Sequence, residues 1–134
     1  MSPFREVDHT ADWALHVWAP TLETLFVEAA VGMYALAGAQ PGEAAPERRP
    51  VAVSAEDIEA LLVTWLQELL YLTESEGLIF SSYRLDGFTP TTLRAEVHGS
   101  PAGRLAKAIK AVTYHNLKIE QTARGYEVTI VFDV

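Results

Sequence analysis

The sequence predicts an α+β fold in which two main amphipathic α-helices cover an antiparallel-dominated β-sheet. Two separate stretches place apolar residues at offsets 0, 3, 4, 7, 11 and 14, which is the spacing of one helical face. Several other stretches alternate apolar and polar residues, as strands with one buried face do. Two pairs of these strands are separated by short turn sequences, and this pattern indicates hairpins rather than parallel crossovers.

The first helix is predicted over residues 22–36. Thr21 is a suitable N-cap, Glu23 lies in the first turn where the helix dipole favours an acid, and Gly38 ends the helix. Residues 38–50 contain three prolines and two glycines, so we expect a loop there.

The second helix is predicted over residues 58–72. Ser54 opens a sequence that resembles a capping box, and residues 74–77 end the helix. Its apolar arc is wider than that of the first helix, so it should be the more buried of the two. Trp65 lies on this apolar face, and we assign it to the core rather than to a binding site.

The alternating stretches predict strands before, between and after the helices. They cover residues 14–19, 51–53, 78–85 and 93–97, a short stretch at Leu117 and Ile119, and residues 126–134. Residues 86–90 should form the turn between two antiparallel strands. Alternation is clearest in the final strand and places Asp133 on the face opposite the apolar set.

Residues 102–113 carry a mixed signal. The spacing of Leu105, Ile109 and Val112 suits a helix, whereas the β-branched end of the stretch suits a strand. We favour a short third helix here.

Composition narrows the class of protein. The 134 residues suit a single domain spanning residues 1–134, and the formal charge of −8 disfavours direct, tight nucleic-acid binding. Cysteine is absent, which excludes disulfides and cysteine-held metals. We expect a cytoplasmic protein without a membrane span, since no stretch has the apolar length of a signal peptide or a transmembrane helix.

Acidic residues near the two ends of the sequence are candidate ligands for a divalent cation. Asp12 begins the first strand, and Asp133 precedes Val134, whose α-carboxylate would lie beside it. Oxygen ligands of this kind suit Ca²⁺ or Mg²⁺. Two alternatives remain open, namely that Asp12 is an ordinary turn residue and that the acids serve a stand-alone metal-dependent enzyme.

Other candidate groups are more ordinary in type. His9 and His115 could act as ligands or as acid–base groups, or could be hydrogen-bonded structural histidines. Lys110 could contact a phosphate or a partner, or lie on the surface. The sequence contains no P-loop, no dinucleotide-binding glycine motif and no nucleophile elbow.

Four blocks of the sequence resemble the archease family. The blocks span nearly the whole chain in the family's order; they are Asp8-His9-Thr10-Ala11-Asp12, residues 62–70, Ile109-Lys110-Ala111-Val112-Thr113-Tyr114-His115-Asn116, and Phe132-Asp133-Val134. Each block is weakly specific alone, and together they are strong.

The resemblance implies a protein that activates an enzyme without being one. Archease is a cofactor of the GTP-dependent RNA ligase that joins ends carrying a 3′-phosphate or 2′,3′-cyclic phosphate in tRNA splicing and RNA repair. It promotes guanylylation and multiple turnover of that ligase. Some members are also described as chaperones of a tRNA cytosine methyltransferase.

The resemblance also implies roles for particular residues. It assigns the metal site to Asp12, Asp133 and Val134, and a functional role to Lys110; His9 is expected to serve the partner or activation site. Residues 100–108 depart from the family pattern, because they lack the acidic and histidine character common there. The resemblance therefore assigns no contacts to that segment.

Overall fold

The computed structural model describes residues 3–7 and 13–134, and this part of the chain has the expected α+β architecture. The elements follow the order β1 (Phe4–Val7), β2 (Trp13–Ala19), α1 (Leu22–Leu36), β3 (Glu47–Ser54), α2 (Ile58–Glu76), β4 (Ile79–Thr89), β5 (Thr92–Ser100), β6 (Ala111–Val112), β7 (Glu120–Thr122) and β8 (Gly125–Asp133). Within these residues, neither helix combines the length and apolar character that crossing a membrane demands.

The strands divide into two sheets, and every pairing is antiparallel. The larger sheet has the order β1-β2-β8-β6, with β7 also paired to β8. The smaller sheet has the order β3-β5-β4. In the larger sheet, β2 therefore occupies one edge of β8, and the short strands β6 and β7 share the other.

Both helices end where local chemistry satisfies their terminal backbone groups. The Thr21 hydroxyl accepts a hydrogen bond from the backbone N–H of Thr24, as expected for the N-cap of α1. Gly38, at φ +64°, follows the end of α1. Gly77, at φ +70°, caps α2 in the left-handed region that glycine tolerates best.

One core cluster joins both helices to both sheets. Trp65 is fully buried, as predicted, and its indole N–H donates to the carbonyl oxygen of Phe26 at 3.0 Å. The Tyr34 hydroxyl hydrogen-bonds the Thr73 hydroxyl at 2.6 Å, so a second polar contact links α1 to α2. Buried polar groups thus fix the relative position of the helices within an otherwise apolar interior.

The predicted third helix over residues 102–113 is wrong. The segment consists of turns, bends and extended backbone, and its only regular element is β6. Its backbone groups bond distant parts of the chain: Lys107 N–H donates to the Ala37 carbonyl at 3.1 Å, and Arg104 exchanges two hydrogen bonds with Gln40. These long-range partners replace the i→i−4 bonds that a helix would need.

Several boundaries also differ from the predictions. β3 begins at Glu47, inside the predicted loop over residues 38–50, and α2 continues to Glu76. The short strand predicted at Leu117 and Ile119 lies instead at Glu120–Thr122, as β7. Ser54 belongs to β3, where it pairs with Thr92, and the N-cap of α2 is Asp57, whose carboxylate accepts from the Ala60 N–H at 2.8 Å. Residues 86–89 continue β4 instead of turning, because their pairing with β5 continues past a register irregularity between Leu85 and Gly87 as far as Thr89 opposite Thr92.

Candidate functional site at the end of the last strand

The final residues form the end of β8 and are held by the core. Phe132 is fully buried, whereas Asp133 is exposed, so the strand presents these two side chains to opposite surroundings. Val134 is partly buried and packs against the core cluster. The last residue of the sequence is therefore anchored by its side chain, and its main-chain atoms lie beside Asp133.

Lys110 lies next to Asp133 through a backbone contact. Its N–H donates to the Asp133 carbonyl oxygen at 2.8 Å, and the pairing continues as Ala111 opposite Asp133 and Val112 opposite Phe132. The Lys110 side chain is exposed. The structure thus brings together two predicted site residues that are more than twenty positions apart in the sequence.

A glutamine on α2 forms a hydrogen bond with β6, the strand that follows Lys110. The Val112 N–H points away from β8 and donates to Gln67 Oε1 at 3.0 Å. A second α2 side chain acts in the same way further along, since Glu59 Oε2 accepts from the Ile119 N–H at 3.1 Å. Side-chain acceptors on α2 therefore satisfy backbone donors of residues 111–119.

The strand that follows the N-terminal block reaches the same end of β8. Trp13, the first residue of β2, is the register partner of Phe132. Asp12 and His9 lie outside the described residues, so the structure neither places them nor tests their predicted roles. His115 is described and lies exposed on a turn, with its Nε2 3.3 Å from Asn116 Nδ2.

Donor chemistry at the end of β8 fits a hard divalent cation. Asp133 contributes carboxylate oxygens, which are the ligand type that Ca²⁺ and Mg²⁺ prefer. Over residues 3–7 and 13–134, no three His, Asp or Glu side chains converge on one point. The described side chains alone therefore do not form a site with three such ligands.

A second polar cluster links β2, β7 and β8, and sequence reasoning did not identify it. His16 contacts Thr129 Oγ1 through Nδ1 and Glu127 Oε1 through Nε2, each at 2.9 Å. A hydrogen bond from the Thr122 hydroxyl, followed by that from His16, holds the pKa of Glu127 below its ordinary value. His16 lies on the polar side of the alternating strand β2. This position was the feature of the sequence from which the cluster could have been predicted.

Gln67 was also missed as an individual residue, although it lies inside one of the four sequence blocks. Its neighbours on the helix face are Val63 and Leu70, both buried. A glutamine on an otherwise apolar helix face needs a hydrogen-bond partner, and that requirement was a readable signal.

Known proteins resemble this chain over nearly its full length. A sequence model of the Archease protein family (MTH1598/TM1083) matches residues 4–134. The chain is 32% identical over 142 residues to the archease of Methanosarcina acetivorans, and the match covers 98% of this chain and 95% of the relative.

Two solved structures share the fold. The solution structure of Methanobacterium thermoautotrophicum protein 1598 has a TM-score of 0.73 at 24% identity and covers 100% of both chains. The crystal structure of an archease from Thermotoga maritima, described as a possible chaperone, has a TM-score of 0.72 at 21% identity and covers 97% of this chain and 96% of that one. At these identities the likeness shows the arrangement of elements.

Proposed function

The chain belongs to the archease family, and on that premise we propose that it is a protein cofactor of an RNA ligase. It activates the GTP-dependent ligase that joins RNA ends carrying a 3′-phosphate, and it promotes guanylylation and multiple turnover of that enzyme. The observation that carries the proposal is the family match over residues 4–134, which includes all four blocks quoted from the sequence.

The proposed metal site uses Asp12, Asp133 and the α-carboxylate of Val134. Its support is the β2–β8 ladder: Trp13, which follows Asp12 in the sequence, is opposite Phe132, which precedes Asp133. Carboxylates brought together at this point would repel one another, and a Ca²⁺ or Mg²⁺ ion bound there would supply the positive charge that offsets the repulsion.

Lys110 and His9 are the proposed partner-facing residues. The backbone of Lys110 is fixed to Asp133 by a 2.8 Å hydrogen bond, while its side chain is exposed. Because its backbone is fixed, Lys110 can donate a hydrogen bond from its exposed ammonium group to a phosphate or carboxylate of the partner while the backbone stays in place.

The charge of the chain suits such a partner. An enzyme that binds RNA and GTP must present basic surface, and the formal charge of −8 on this chain is opposite in sign. Opposite charges accelerate encounter between proteins more than they strengthen the final complex.

A guanylylation assay tests the proposal directly. The ligase of the same organism is incubated with GTP and metal under single-turnover conditions, with and without saturating amounts of this chain. We expect a faster formation of the ligase–guanylate adduct. An unchanged rate at saturation would contradict the proposal.

A parallel incubation tests the enzyme alternative. The chain alone is mixed with RNA, nucleotides and Mg²⁺. Turnover that disappears in an Asp12→Ala variant would favour a stand-alone metal-dependent enzyme over a cofactor.

A chaperone role is the second candidate. It is favoured by the description of the Thermotoga maritima archease as a possible chaperone. The client proposed here is a tRNA cytosine methyltransferase. Suppressed aggregation of that enzyme on heating, equal in the native chain and in Asp12→Ala, would support the role; aggregation unaffected by the chain would contradict it.

A further inference from the structure

We propose that a groove between α2 and residues 105–114 is the surface on which the partner docks, and that it receives an arginine-bearing segment of the ligase. This inference rests on the proposed function. We name it the α2 groove. It is defined by Glu68, Tyr71 and Glu74 of α2, and by Lys110 and Tyr114 of the facing segment.

The α2 groove consists of two successive pockets along the helix. The first, of about 430 Å³, lies between Leu70 and Glu74 of α2 and residues 105–110. The second, of about 410 Å³, lies between residues 63–71 of α2 and the pair Val112 and Tyr114. Because the facing segment runs opposite to the helix, the pockets follow each other along α2, and the Gln67–Val112 hydrogen bond lies at the second of them.

Exposed aromatic side chains are concentrated in this groove. In the described part of the chain three large apolar side chains are exposed, and two of them, Tyr71 at 61% and Tyr114 at 59%, line the second pocket. The third, Val31 at 37%, lies on α1. Tyrosine is enriched at the centres of protein interfaces, because its ring buries a large area and its hydroxyl remains able to hydrogen-bond.

The charges in the groove specify the chemistry of its occupant. Two carboxylates, Glu68 and Glu74, and one ammonium group, that of Lys110, line the groove, so its net charge is negative. Neither glutamate takes part in an ion pair among the described residues. A guanidinium group satisfies both features of the surface, since it pairs with carboxylates and binds the faces of tyrosine rings. The phosphates of an RNA would instead be repelled by the same carboxylates.

The position of the groove connects docking with the proposed site. Lys110 lines the first pocket and is bonded through its backbone to Asp133. A partner segment lying in the groove would therefore contact the segment that carries Lys110. Docking there would bring the partner next to the end of β8.

The test is a calorimetric titration of the full-length chain with the purified ligase of the same organism. A double variant, Tyr71→Ala with Tyr114→Ala, should weaken binding at least about tenfold, because truncated interface aromatics are frequent hot spots. Glu74→Lys should weaken binding mainly at low salt, where opposite charges matter most. All of these side chains are partly or fully exposed, so melting temperatures should stay close to that of the native chain.

Matched controls are available elsewhere on the surface. Glu43→Lys makes the same charge change at an exposed loop position, and Val31→Ala truncates the exposed apolar residue on α1. Both should leave the dissociation constant within about twofold of the native value, as surface changes outside an interface do.

The outcomes separate the docking surface from the function. If the native chain binds and stimulates the ligase and the groove variants bind equally well, the docking surface is wrong and the proposed function stands. If the native chain neither binds nor stimulates the ligase, both are wrong. Groove variants that instead lose binding to a 3′-phosphorylated RNA, or lose self-association in sedimentation, would overturn the assignment of a basic protein segment.

Discussion

Replacing Gln67 with methionine tests how the segment that carries Lys110 is held. Gln67 Oε1 accepts the Val112 N–H at 3.0 Å, and Val112 is 6% exposed. Methionine has nearly the same length, but its thioether is a poor acceptor. Leaving a buried N–H without a partner costs about 1–3 kcal/mol. We therefore expect a loss of that size in the free energy of unfolding.

That loss converts into a measurable change in melting temperature. Unfolding entropy is about 2.1 cal/mol/K per residue, so the chain of 134 residues should lose Tm by about 4–11 °C. Calorimetry measures the shift, and amide hydrogen exchange should show faster exchange at Val112. Activation of the ligase should fall as well, because Lys110 lies two residues before Val112.

Two further variants control the result. Gln121→Met makes the same chemical change at an exposed position in β7 and should shift Tm by no more than about 2 °C. Gln67→Glu retains an acceptor oxygen and should restore most of the stability lost in Gln67→Met. A Tm for Gln67→Met within about 2 °C of the native value would refute the reasoning.

Three other predictions concern charged groups. Lys110→Ala should abolish ligase activation while the free energy of unfolding stays within about 0.5 kcal/mol, and a steep fall in Tm would make the residue structural. Asp133→Asn, or a Gly-Ser tail added after the last residue, should weaken Ca²⁺ or Mg²⁺ binding and reduce the rise in Tm on adding either ion; unchanged metal binding would exclude the terminal site. Hydrogen bonds from Thr122 and then His16 lower the pKa of Glu127 below 4.5 in the folded protein. Ionised Glu127 therefore stabilises the fold above pH 4.5, and this contribution is lost as the pH falls through the pKa of the folded state. Glu127→Gln should therefore flatten the decline of Tm below pH 4.5. If the Tm of the variant and of the native chain fall equally in this acid range, the cluster does not contribute to stability.

The elements that were predicted correctly are those whose signals are local. Residues 22–36 combine a helical apolar period with an N-cap at Thr21 and a glycine after the last turn, and the structure has the helix within those bounds. The alternation of residues 126–134 likewise produced β8. In both cases the local preference of the residues, their apolar pattern and the residues that end the element all predict the same structure. Tertiary contacts therefore reinforce the local preference.

The segment from 102 to 113 was mispredicted because its structure depends on partners far away in the sequence. Leu105 and Ile109 have helical spacing, yet the backbone of Lys107 bonds Ala37 and that of Lys110 bonds Asp133. No local pattern encodes those partners. The same limit applies to the site: sequence blocks identified Lys110 and Asp133 separately, and only the β6–β8 pairing brings them together.

The end of β8 is paired on both edges, each with a different part of the chain. β2 lies on one edge, with Trp13 opposite Phe132, and β6 lies on the other, with Ala111 opposite Asp133. Gln67 then fixes β6 to α2. Since these links are backbone ladders and one part-buried side-chain hydrogen bond, the strand end that carries Asp133 has little freedom to move away from its neighbours. Negative groups that cannot separate repel one another, and a cation or a basic partner would offset that repulsion. The proposed metal site and the proposed docking surface would therefore both depend on the same strand pairing.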